Sequence, residues 1–299
     1  MGSIGPYTVI DPIGRGVSST VYVARNTDTD EVVCIKVIPK AEKEKCFLDT
    51  EIKVLPTLNH PNIVKFIDFL EDLENYYLIE EYCNGETLTQ FVESGKLLTE
   101  RSILSIMQQL FSALMYIHAK GVSHRDLKPD NIIIIDSSNI KVIDFGLSTD
   151  DNSSLRSTFC GSVAFASPEC INHQKYDAKA ADIWSCGVIC FYLSTGQIPW
   201  KGNNIVQLMR SISAVNYYIP NSILIPIKSI ITQCLCLDPS KRPTAEKLLE
   251  SPFLCTKGRR NARLIRVELS CGQIPRLSVI QPPVVARKAP RKRPKIYSV

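Results

Sequence analysis

Residues His124-Arg125-Asp126-Leu127-Lys128-Pro129-Asp130-Asn131 run into four isoleucines, and thirteen residues past Asn131 stands Asp144-Phe145-Gly146. The stretch places three side chains that handle metals or protons, Asp126, Asn131 and Asp144, and one cation, Lys128, on a loop and on the turn after the next strand pair. A fold that brings those three together has an oxygen-rich pocket suited to Mg²⁺, with a carboxylate left to orient a hydroxyl.

Around this stretch the chain is long enough for two lobes or one large domain. Tyr7–Ile13, Thr20–Asn26 and Glu31–Pro39 alternate apolar and polar residues and are rich in β-branched side chains, which predicts antiparallel strands. Asn26 to Asp30 supplies the turn between the last two. The turn between the first two holds Gly14 and Gly16, between Ile13 and Val21. Such glycines let backbone N–H groups approach phosphates, and two glycines in a hairpin also serve as a plain turn. Lys36 follows on the third strand. Residues 41–58 set Phe47, Ile52 and Leu55 among charges and predict a short amphipathic helix. Tyr76–Tyr82 is a further strand. Thr99 to Lys120 predicts a long helix with Gly121 as its stop, and Ile132–Ile135 and Ile140–Ile143 predict the short strands between Asn131 and Asp144. A helix apolar nearly all round, opened by Asp177, is a buried one.

With 299 residues the chain can bury a real core. Its eleven cysteines, with no CxxC pair, point to reduced and mostly buried thiols rather than a disulfide framework or a zinc site. No secretory leader is evident, Pro6 stands where a myristoylation signal wants Ser or Thr, and no apolar stretch is long enough to span a bilayer. The net charge of +5 hides an asymmetry. Residues 257–299 carry 12 Lys and Arg against the single acid Glu268, whereas the chain before them has more acid than base.

The strings H-R-D-L-K-P-D-N and D-F-G resemble the catalytic and metal-binding loops of eukaryotic protein kinases. Val33-Cys34-Ile35-Lys36 resembles the family's V-A-I-K, and the Gly14–Val21 segment its Gly-rich loop, with Ser19 in place of the third glycine. The resemblance runs from about Tyr7 to Leu254. It implies an α+β, bilobal protein-kinase-like fold: a small N-lobe with an antiparallel sheet plus one helix (7–80), a hinge (81–85) and a larger, mainly helical C-lobe (86–254). The cofactors implied are ATP and Mg²⁺, and the partners are protein substrates with Ser or Thr acceptors, since Lys128 follows H-R-D-L. By resemblance, Asp126 orients the hydroxyl and accepts its proton, Lys128 neutralises the moving phosphoryl group, and Asn131 and Asp144 hold Mg²⁺. Ile13, Gly14, Gly16, Val21 and Ile133 line the nucleotide site, Lys36 holds phosphates with Glu51 as its partner, and Glu81 and Cys83 present backbone groups to the adenine edge.

Further roles are implied by the same resemblance. Thr158 is the activating phosphosite and Arg125 its receiving cation, which calls for an upstream activating kinase. Ser162 bridges Asp126 and Lys128 through its hydroxyl. Asp182 ties down the backbone near His124, and Arg242 pairs with Glu169. Glu80 stands where the family usually has an apolar or Thr side chain; the expectations are that it reaches Lys36 in competition with Glu51, or that it repels inhibitors needing an apolar back pocket, unless the strand register differs. Cys34 offers inhibitors a thiol handle. Asp144-to-Ser148 and Cys160-Gly161-Ser162 are similar to the calmodulin-dependent and Snf-related kinases, and Glu81-to-Gly85 resembles autophagy-initiating kinases.

The tail, residues 255–299, is basic and carries five prolines, and is expected to be largely without fixed structure. Arg287 to Lys295 resembles a nuclear localisation signal, implying an import receptor and a nuclear or cytoplasmic location; nucleic acid, acidic membranes or plain solvation suit such a run equally. A monomer is expected.

Overall fold

A computed structural model describes residues 2–15, 19–40, 45–96, 98–136, 139–148 and 162–254. Gly16, Thr158 and the basic tail lie outside them.

The alternating segments form strands. β1 (Ser3–Ile4), β2 (Tyr7–Arg15), β3 (Thr20–Asn26), β4 (Val32–Pro39), β5 (Phe66–Glu71) and β6 (Asn75–Glu81) make one antiparallel sheet in the order β1-β2-β3-β4-β6-β5. Period-two alternation splits its faces. Val33, Ile35, Tyr77 and Ile79 pack with Tyr7 and Ala24 in a small core of their own. Opposite faces follow from register: Lys36 pairs with Val21 and Leu78, and Cys34 with Val23 and Glu80. The sheet therefore turns Val21, Val23, Cys34, Lys36, Leu78 and Glu80 toward the rest of the molecule.

One helix accompanies this sheet, α1 (Lys45–Val54), followed by a single 3-10 turn at Leu55–Thr57. The helix stops at Val54, because Pro56 has no N–H to continue the ladder. β1 and β5 were not expected. Phe66–Glu71 alternates too weakly to declare itself, with Phe69 and Leu70 adjacent, and it forms by pairing with β6.

The second lobe is mainly helical: α2 (Leu88–Glu93), α3 (Glu100–Ala119), α4 (Pro168–Ile171), α5 (Ala178–Thr195), α6 (Ile205–Ser213), α7 (Ile225–Cys234) and α8 (Ala245–Leu249). Between the lobes lies a three-stranded sheet of β7 (Glu86–Thr87), β8 (Ile132–Ile134) and β9 (Ile140–Val142). Side-chain caps set the helix starts. Thr99 Oγ1 accepts from the Ser102 N–H at 3.0 Å and Asp177 Oδ1 from the Lys179 N–H at 2.9 Å. α3 buries Ile103, Met107, Leu110, Leu114 and Ile117, the stripe expected from their spacing. α5 is buried nearly all round and crosses α7 so closely that a Cβ on Gly187 would lie 2.7 Å from Cys234 Cβ. The chain is thus bilobal and α+β, with the cleft roofed by the inner face of the large sheet.

Candidate active site

Lys36 is where the lobes meet electrostatically. Its Nζ donates to Glu51 Oε2 at 2.8 Å and to Asp144 Oδ1 at 3.1 Å. The three groups come from β4, α1 and the turn after β9. Burial alone would lower the lysine's pKa, but the carboxylates of Glu51 and then Asp144 outweigh it and hold the ammonium well above its ordinary range. Lys36 in turn holds Asp144 below the usual carboxylate range. The other Glu51 oxygen accepts the Phe145 N–H at 3.0 Å, so one glutamate fixes both the lysine and the turn behind Asp144.

The loop before β8 carries the second half of the site. Lys128 Nζ donates to Asp126 Oδ2 at 2.6 Å. Asn131 Nδ2 donates to the Asp126 carbonyl at 2.9 Å and to its Oδ2 at 3.2 Å. Asp126 Oδ1 accepts from the Ser162 backbone N–H at 3.1 Å. The expected hydroxyl bridge from Ser162 to Asp126 and Lys128 is therefore replaced by a main-chain contact. The backbone at 162 faces the carboxylate directly, which needs no particular side chain.

Arg125 and Asp144 both have left-handed backbone, φ 67° and 63°, which side chains with a Cβ rarely adopt. Each such residue costs about 1–3 kcal/mol and survives only where its surroundings over-determine it. They do. Asp182 accepts the N–H of His124 at 2.9 Å and of Arg125 at 2.8 Å, and its Oδ2 also meets His118 Nε2 at 2.9 Å. His124, fully buried, reaches the Ile143 carbonyl at 3.1 Å and packs on Phe145. The Arg125 guanidinium donates to the Leu147 carbonyl at 3.5 Å and to the Tyr176 hydroxyl at 3.3 Å.

Around these, Gly14 pairs with Val21 across β2 and β3, and Ile13 is half exposed at the same end of the sheet. Ile133 alternates with the buried Ile132 and Ile134 and so faces away from the core. Beyond β6 the chain passes close to β8. A Cβ on Gly85 would fall 2.3 Å from the Ile134 carbonyl oxygen, so this crossing admits only glycine. Glu81 turns its carboxylate away from the sheet's inner face, bonding Lys141 Nζ at 2.8 Å and the Lys65 N–H at 3.1 Å. Lys141 also reaches the Ile63 carbonyl at 3.3 Å. That tie between the end of β6 and β9 was not legible in the sequence, because nothing in the spacing of residues 81 and 141 marks them as neighbours.

Glu80 departs from the expectation that its carboxyl reaches Lys36. Lys36 is bonded to Glu51 and Asp144, not to Glu80, and Glu80 Oε1 is buried with no hydrogen-bond partner. Desolvation first, then the neighbouring Glu51 charge, pushes its pKa up to about 8. Cys34, opposite it, is likewise raised to about 12 by burial and then by Glu80. Burial and the neighbouring carboxyl thus favour the protonated thiol, the less nucleophilic form.

Asn131 and Asp144 are the oxygen donors suited to Mg²⁺. Among the described residues no group of three or more His, Cys, Asp or Glu side chains is arranged to hold a metal ion. Two protein oxygens completed by phosphate and water are nevertheless the usual setting for Mg²⁺ beside a nucleotide, so the donor set fits. No helix among the described residues is long and apolar enough to cross a membrane.

A sheet-roofed lobe, a helical lobe and a lysine shared between two carboxylates from separate elements define a phosphotransferase cleft of the protein-kinase type. The family model for the protein kinase domain matches residues 7–254, and the chain belongs to that family. It is 38% identical over 258 residues to the Dictyostelium discoideum protein named "Probable serine/threonine-protein kinase MARK-A", covering 85% of this chain and 24% of that one. It is 36% identical over 265 residues to CBL-interacting protein kinase 2 of Oryza sativa subsp. japonica, covering 86% and 59%. With sperm motility kinase 2B of Mus musculus it shares 33% over 252 residues, covering 83% and 51%. The chain thus spans between a quarter and three fifths of the length of these relatives.

Proposed function

We propose that the chain transfers the γ-phosphoryl group of ATP to serine or threonine hydroxyls of proteins. The observation that carries this is Lys36 held between Glu51 and Asp144, with Asp126, Lys128 and Asn131 hydrogen-bonded to one another on the neighbouring loop.

In this reading Lys36 engages the α- and β-phosphates and Glu51 keeps it in place. Ile13, Gly14, Gly16, Val21 and Ile133 enclose the nucleotide, and the backbone of Glu81 and Cys83 meets the base. Asp126, fixed by Asn131, Lys128 and the Ser162 N–H, orients the acceptor hydroxyl. As the hydroxyl oxygen bonds to the γ-phosphorus, the bond to the β–γ bridging oxygen breaks, ADP departs, and the hydroxyl proton passes to Asp126. Lys128 balances charge on the transferred group. Asn131 and Asp144 are the residues that would hold Mg²⁺, which supplies neutralisation of the phosphate charge when bound.

Regulation by phosphorylation of Thr158, with Arg125 receiving the phosphate, belongs to the same reading, as does nuclear import through the basic tail. Removing 287–299 from a fluorescent fusion tests the latter, and unchanged location rejects it. The activity itself is tested by ³²P transfer from labelled ATP to a Ser/Thr peptide library. Wild type should label peptides, and Asp126→Asn should lose about 10²–10⁴-fold, the range for a general base. Pure protein that binds no Mg-ATP and labels nothing would reject it.

A further inference from the structure

Across β4 and β6, directly opposed residues share a face of the sheet. Cys34 opposes Glu80 and Lys36 opposes Leu78, so the Glu80 carboxyl projects from the face that carries Lys36. Glu81, next along the strand, points the other way and is bonded to Lys141 and the Lys65 N–H. At the end of β6, then, Glu80 alone brings a carboxyl to the roof of the cleft. It is 9% exposed, and its Oε1 has no hydrogen-bond partner. Lys36, on the same face of the sheet, is directed to Glu51 and Asp144.

A buried acceptor without a donor is unfavourable, and such groups are few in folded proteins. Its place on a ligand-facing surface gives it a reason: the donor arrives with the ligand. If the nucleotide lies as argued above, the triphosphate is at Lys36 and the base at the strand end by Glu81–Cys83. Glu80 sits between these two and beside the base. Phosphates offer acceptors only. On an adenine ring the sole polar hydrogens are those of the exocyclic 6-amino group.

We propose that Glu80 reads the base, its Oε1 accepting a hydrogen bond from the exocyclic amino group of a 6-aminopurine nucleotide. Base choice then rests on a side chain as well as on the backbone of the strand end. This inference depends on the nucleotide reading of the cleft.

The test is displacement of trinitrophenyl-ATP from the full-length chain by ATP and by purine riboside triphosphate, which has hydrogen in place of the 6-amino group. Wild type is compared with Glu80→Gln, which keeps an acceptor, and with Glu80→Met and Glu80→Leu, which do not; having both guards against one failing to fold. The quantity read is the affinity ratio of ATP to the deamino analogue, so a general loss of affinity cancels. The ratio should fall about tenfold in the Met and Leu variants, the value of one buried hydrogen bond. In Glu80→Gln it should stay close to wild type. A ratio unmoved in the Met or Leu variant overturns the role of Glu80. Failure of ATP to displace the probe from wild type overturns the nucleotide reading, and this inference with it.

Discussion

Arg242 is the most completely enclosed charge among the described ion pairs, its side chain 0% exposed and that of Glu169 6%. Two guanidinium nitrogens donate to the two Glu169 oxygens at 2.6 and 2.8 Å. Nε donates to the carbonyl of Cys236 at 2.8 Å, Nη1 also to that of Ala180 at 3.1 Å and Nη2 also to that of Leu237 at 3.4 Å, and the group lies 4.9 Å from the Trp184 ring centre. Arg242→Ala would leave Glu169 charged, buried and unpaired, with three carbonyls stripped of a donor. One-sided loss of a buried pair costs about 3–5 kcal/mol. Glu169→Gln keeps the shape and an acceptor, so it should cost less, about 1–3 kcal/mol. At about 2–4 °C per kcal/mol for a domain of this size, Arg242→Ala lowers Tm by roughly 6–20 °C. The assay is thermal unfolding followed by circular dichroism. The double variant Arg242→Met with Glu169→Leu should recover much of the loss, because a packed apolar pair can replace a buried ionic one. A Tm change under about 2 °C for Arg242→Ala would refute the burial argument, since it would mean that water or another cation reaches Glu169.

Four further outcomes are expected. Lys36→Met should lower kcat/KM for ATP about 10²-fold or more while leaving Asp126 chemistry intact, measured by steady-state peptide phosphorylation. Gly85→Ala should destabilise the chain and raise KM for ATP, because its Cβ would meet the Ile134 carbonyl at 2.3 Å; unchanged melting would reject the tight crossing. Thr158→Ala should reduce activity of the phosphorylated enzyme roughly ten- to a hundredfold, and full activity in that variant would end the switch. The raised pKa of Glu80 carries a sign for stability. With a folded value of about 8 against an ordinary 4.5, its contribution is fully present below about pH 4.5 and is lost as pH rises toward 8. Glu80→Gln should therefore gain stability over wild type progressively across that window, and a gain that does not vary with pH would contradict it.

Much of the fold could be read from local pattern. Residues that meet their partners within one element announce themselves: the α3 stripe of Ile103, Met107, Leu110, Leu114 and Ile117, or the alternation of Val32–Pro39, follows from a 3.6- or two-residue period and burial on one side. Phe66–Glu71 did not, because its pairing with β6, not its own pattern, makes it a strand. The loop containing Asp126, Lys128 and Asn131 was legible because the residues that must cooperate lie within six positions, where chain geometry alone keeps them close. Glu51 was reached only by resemblance, since nothing in an amphipathic segment with several acids says which one faces inward.

What the sequence settled by itself was the inventory: a catalytic loop, a lysine strand, an acidic turn and a basic tail with their spacings. Tertiary structure decided who pairs with whom. It gave Lys36 to Glu51 and Asp144 and left Glu80 without a donor; it turned the backbone of Ser162, rather than its hydroxyl, toward Asp126; and it joined Glu81 to Lys141 across sixty residues. The reason is physical. Covalent proximity and periodicity are local properties, whereas the competition of several carboxylates for one ammonium is resolved by distance and desolvation, and those exist only once the lobes have closed around the cleft.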